Sequence, residues 1–80
     1  MLQPVQLQFV TDTEPGGVCE LCVQHRPFAE VREKDGRTVL IIWRTHGFAD
    51  LELDANDLAS LIFEAAKAVK NWNEKLREIE

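Results

Sequence analysis

Cys19, Cys22 and His25 follow one another at intervals of three, and His46 lies further along the chain. Thiolate and imidazole are the ligands zinc takes in tetrahedral structural sites, so these four residues could hold one ion. Gly16 and Gly17, just before the first cysteine, would allow a tight metal-binding turn. The competing reading makes residues 18–24 a regular strand. Residues three apart then point to opposite faces, leaving Cys19 as a small core hydrophobe and Cys22 as a free thiol. The strand reading carries more weight, because structural zinc sites are usually built from two close ligand pairs. Here His25 and His46 stand apart, and Trp43 occupies the place where a cysteine would have completed a pair with His46. Redox chemistry has less support again: a reactive Cys-x-x-Cys sits at a helix start that lowers a thiol pKa, and no helix is expected after Cys22. No cofactor is expected, with zinc as the one candidate.

The catalytic inventory is thin. Tyrosine is absent, no Gly-rich phosphate loop follows a strand, and no His-Glu-x-x-His occurs. His25 or His46 beside Asp12, Glu14 or Asp50 would give an acid–base pair, but a histidine in a loop is more often only a loop residue. Ser60 falls within a helical pattern and reads as a back-face residue rather than a nucleophile. The chain is expected not to be an enzyme, and no motif in it matches a family signature closely enough to carry a function over.

The elements that position these residues are those of an α+β fold: an antiparallel sheet of four to five strands with one long C-terminal helix on one face. The run Thr38 to Trp43, Thr-Val-Leu-Ile-Ile-Trp, is apolar in both parities and asks for cover on both sides. Asp35-Gly36 before it is a two-residue hairpin signal of type I′. It sets Lys34 opposite Arg37, Glu33 opposite Thr38, Val31 opposite Leu40, Ala29 opposite Ile42 and Phe28 opposite Trp43. A second turn at His46-Gly47 would add a strand, with Ile42 opposite Leu51, Leu40 opposite Leu53 and Trp43 opposite Asp50. Upstream, Val5, Leu7 and Phe9 alternate with glutamines as an edge strand would. Thr11 to Gly17 reads as a turn, and His25-Arg26-Pro27 as a break after residues 18–24.

By parity, Ala29, Val31, Leu40, Ile42, Ala49, Leu51 and Leu53 form the core face. Phe28, Val39, Ile41, Trp43 and Phe48 lie on the other, with charged residues around them. The helix start is well marked: Asp54 is an N-cap, Asp57 a short capping-box acid, and Leu53 and Leu58 a hydrophobic staple. Leu58, Ile62, Ala65, Val69, Trp72, Leu76 and Ile79 then recur as a seam. Residues 55–79 as one helix span about 37 Å, against about 20 Å for a six-residue strand. The last turns therefore need a partner, which is the amino-terminal strand, a second subunit or a target. Phe63 projects away from the seam as a separate exposed aromatic.

Eighty residues make a single domain, residues 1–80, with marginal stability unless an oligomer, metal or disulfide assists. Fourteen acids against nine bases give a net charge of −5, which weighs against coating nucleic acid or a membrane. No charged segment followed by an apolar core opens the chain and no run would cross a bilayer, so a cytoplasmic protein is the expectation. Phe28, Trp43 and Phe48 with Arg32, Arg37 and Arg44 would make a stacking platform for single-stranded nucleic acid. Glu30, Asp50 and Glu52 on the same face oppose it. Aromatics at the centre of a charged rim fit a protein interface better. The interface expected is Phe28, Ile41, Trp43 and Phe48, or Trp72, Leu76 and Ile79. The function that follows is a small homodimeric regulatory or inhibitor protein working through protein–protein contact. A zinc-stabilised adaptor and a nucleic-acid-binding domain are the alternatives.

Overall fold

A computed structural model describes residues 2–10, 16–44, 47–48 and 50–79, with the side chains of residues 77–79 excepted. Four strands, β1 (Gln6–Val10), β2 (Val18–Val23), β3 (Arg26–Lys34) and β4 (Arg37–Ile42), precede one helix, α1 (Ala55–Ile79). The strands form an antiparallel sheet in chain order, and α1 packs across one face of it. The fold class is α+β, as the sequence implies.

The β3–β4 hairpin has the register set by its turn: Lys34 pairs with Arg37, Val31 with Leu40 and Ala29 with Ile42. Asp35 and Gly36 have φ of 54° and 78°, the two left-handed residues of a type I′ turn. Trp43 N–H donates to Phe28 O at 2.9 Å, which continues the ladder to the pair expected there.

The turn between β2 and β3 is a second tight hairpin, at Gln24-His25, where the sequence suggested a break. Both residues have positive φ, 53° and 64°, without a glycine to make that easy. Pro27 then sits inside β3 rather than ending β2. A central strand tolerates proline at a bulge, and the β2–β3 register shifts between Leu21 and Cys22, opposite Ala29 and Pro27. Phe28 is the extra residue. Phe28 and Ala29, neighbours in sequence, are both in the buried cluster. This corrects the placement of Phe28 on the outer face, because parity counting fails across a bulge.

β2 is the most enclosed strand, with Val18, Cys19, Leu21, Cys22 and Val23 all buried. Its Cys19, Leu21 and Val23 meet Val31, Ala29 and Phe28 of β3 and Ala65 and Val69 of α1 in the core. Leu58, Ile62 and Ala66 pack at the margin, so the predicted seam is the face that meets the sheet. Asp54 Oδ1 accepts from the N–H groups of Asn56 and Asp57, each at 3.0 Å, and its carbonyl accepts from Leu58 N–H. That is N-capping as expected.

No fifth strand is formed among the described residues. Among the described residues the segment after β4 lies outside the ladder, and Gln3 N–H donates to Glu52 O at 2.9 Å within it. Leu51 and Leu53 still pack on the core margin, so their alternation with Asp50 and Glu52 reflects docking of an extended segment rather than strand pairing. The expected pairings of Leu51 with Ile42 and of Leu53 with Leu40 are thereby replaced. β4 becomes an edge, and Leu40 and Ile42, counted as core from the sequence, are 40% and 65% exposed. Residues 11–15 of the predicted loop, Ala49 and His46 lie outside the described residues.

Candidate functional site

Trp72, in the apolar seam near the end of α1, finds its cover within the chain. The rings of Trp72 and Phe9 meet edge to face, 6.0 Å apart at 81°. A Cβ on Gly17 would come within 3 Å of both rings, so glycine is what lets the backbone approach so closely. Gly17 N–H donates to Asn73 Oδ1 at 3.0 Å and holds the helix against the start of β2. The amino-terminal strand is thus the partner of Trp72. Leu76 is half-buried beyond it, and the side chain of Ile79 lies outside the described residues.

The four possible metal ligands are not drawn together where they can be followed. Cys19 faces the core, while Cys22 faces the other way, its Sγ 4.0 Å from Gln8 Oε1. β2 keeps regular pairing with β1 through both residues, so their separation onto two faces follows from strand geometry. His25 is on the exposed β2–β3 turn, and His46 is not among the described residues. No cluster of three metal-ligating side chains occurs among the described residues. Burial pushes the Cys19 thiol above its ordinary value, with the neighbouring Cys22 and Glu20 adding to the effect. Burial and then Glu20 do the same to Cys22. Both cysteines are free.

On the sheet face away from α1, Gln8, Glu20, Glu30 and Ile41 form one row across the four strands. Glu20 stands directly opposite Glu30, an unfavourable like-charge pair unless one is occupied elsewhere. Glu30 is occupied: Trp43 Nε1 donates to its Oε1 at 3.0 Å, and Arg32 Nη1 is 3.5 Å from its Oε2. This arrangement fixes the Trp43 ring at the end of β4. Of the other aromatic candidates, Phe28 is only 5% exposed, and half-buried Phe48 carries the Arg26 guanidinium 4.7 Å above its ring. Two carboxylates, Glu20 and Glu30, stand on the face that a nucleic-acid platform would use.

A further exposed surface is the edge of β4, one of the two edges of the sheet. Because Trp43 N–H points inward to Phe28, alternation in an antiparallel ladder turns Arg37, Val39 and Ile41 inward and Thr38, Leu40 and Ile42 outward. No strand among the described residues lies beyond them. Exposed apolar side chains accompany these outward groups at Leu40 and Ile42, and half-buried Val39, Ile41 and Trp43 flank them. The sequence pointed to Ile41 and Trp43 but missed Leu40 and Ile42, since nothing local says that the next strand fails to form. No family model, curated protein or solved structure matches this chain.

Proposed function

We propose that the chain is a non-enzymatic protein–protein interaction module, a small regulatory or inhibitor protein that works by presenting the β4 edge to another chain. The observation that carries the reading is the coincidence of outward backbone groups at Thr38, Leu40 and Ile42 with apolar side chains 40% and 65% exposed at the last two. Folded proteins usually blunt such edges with charge, proline or cover. An edge left apolar suits strand addition, in which main-chain hydrogen bonds supply affinity and alternate side chains supply selectivity. Trp43, held by Glu30, adds a fixed aromatic at the end of that edge.

A reducing compartment such as the cytoplasm suits two buried free thiols. Among the described residues no helix is long and apolar enough to cross a membrane. Capture of partners by immobilised protein tests the reading. Leu40→Lys and Ile42→Asp should abolish capture, while Phe63→Asp, on an equally exposed aromatic of α1, should leave it intact. Capture that survives both β4 substitutions, or that is lost with Phe63→Asp alone, would move the function elsewhere.

A further inference from the structure

We infer that the occupant of the β4 edge is a second copy of this chain, paired antiparallel about a two-fold axis at Leu40, so that the two sheets become one of eight strands. The inference rests on the reading of β4 as a binding edge and adds the partner and the register.

An antiparallel pairing must join outward residues to outward residues, which leaves few symmetric registers. With the axis at Leu40, Leu40 faces the partner's Leu40, and Thr38 and Ile42 face the partner's Ile42 and Thr38. All of these pairs lie within β4 and together supply about six main-chain hydrogen bonds. On the face away from α1, Ile41 then meets the partner's Val39, and Trp43 meets the partner's Arg37 in a closely spaced non-hydrogen-bonded pair. A guanidinium over an indole ring is a favourable pairing. Beyond the strand, exposed Arg44 reaches the partner's Gly36, beside the carboxylate of Asp35 in that turn. Each end of β4 thus carries the complement of the other end: Arg37 and Asp35 at one, Trp43 and Arg44 at the other.

The neighbouring registers do less. An axis at Val39 sets Arg37 against aliphatic Ile41 and Ile42 against Gly36, where there is no side chain to cover it. An axis at Ile41 pairs Leu40 with Ile42 well, but it spends its outer bonds on Arg44, which lies in a turn outside β4. It also leaves both arginines without a partner. A six-residue edge is small beside the roughly 800 Å² per partner of a stable dimer, so association is concentration-dependent rather than permanent.

Two measurements on the 80-residue chain test this. Sedimentation of the wild type from micromolar to millimolar concentration should show a monomer–dimer equilibrium. Under mild oxidation Leu40→Cys should form a disulfide dimer, since the paired Cα atoms would be about 5.5 Å apart, within disulfide reach. Thr38→Cys alone should not, because the two copies of residue 38 would be roughly 14 Å apart. A mixture of Thr38→Cys with Ile42→Cys should cross-link. Wild-type protein, whose own cysteines are buried, is the control. A wild-type dimer in which Leu40→Cys stays unlinked, or in which only a mixture of Leu40→Cys and Ile42→Cys links, would overturn the register. A wild-type monomer at millimolar concentration would overturn the second copy as occupant. In that event partner capture that is still lost with Leu40→Lys keeps the binding edge, and capture indifferent to it removes both.

Discussion

Cys19 and Cys22 are three residues apart and on opposite sides of one strand, and that single fact separates the chemistry they suggest from the chemistry they can do together. Each thiol is held above its ordinary value of 9.0 chiefly by burial. Thiolate is the reactive and metal-binding form, so alkylation of native protein at neutral pH should be slow and should rise sharply on unfolding. Equal rates in native protein and in denaturant would contradict the burial of both. The raised values also set a direction for stability. Below the unfolded-state value both states are protonated and stability is flat. Above it the unfolded chain has released protons that the folded chain retains, so stability falls as pH rises from about 9. Denaturation midpoints across alkaline pH, compared with a Cys19→Ala, Cys22→Ala variant, should show a steeper decline in the wild type. Nothing in the sequence pattern foretold the bond from Trp43 to Glu30, since the two residues meet only through a register that places them on adjacent strands and one face.

At the scale of elements, the hairpin at Asp35-Gly36 and the helix from Asp54 were legible because their signals are local. A type I′ dipeptide fixes register residue by residue, and a capping aspartate before a heptad stripe fixes a helix start. Asp54→Ala should therefore cost about 1 kcal/mol, read from the denaturation midpoint. The Gln24-His25 turn was not legible, because it holds none of the Asn-Gly, Asp-Gly or Gly-Gly pairs that mark such a turn. It forms because β2 and β3 on either side are buried together, and tertiary packing overrides local preference. His25→Gly should then stabilise the fold by about 1 kcal/mol by relieving that conformation at an exposed site. A loss of stability would show that His25 makes a contact worth more than the strain. Pro27 carried the missing information about Phe28: a proline within a central strand implies a bulge, and a bulge breaks the alternation from which faces are read.

For the whole molecule, the question posed by the sequence was how much apolar surface eighty residues can cover. At Trp72 the trailing helix is covered by Phe9 and Gly17, so the amino-terminal strand serves there where a second subunit was one alternative. The sheet does not settle its share. The apolar run Thr38 to Trp43 looked like a central strand, yet the segment after it docks at the core margin and ties to Gln3, leaving β4 at the edge. That choice depends on contacts far apart in sequence, which is why local pattern could not reveal it. The α+β class, the β3–β4 register and the seam of α1 were readable; the exposed edge of β4 emerged only from the sheet as it forms among the described residues.

Amide hydrogen exchange along β4, followed as protein concentration is raised, tests the binding edge most directly. In dilute protein the amides of Thr38, Leu40 and Ile42 should exchange rapidly while those of Val39 and Ile41, bonded to β3, stay protected. At high concentration the three outward amides should become protected as well. Protection of all five in dilute protein, or rapid exchange of the outward three at every concentration, would contradict an edge that is open in the monomer and closed by a second copy.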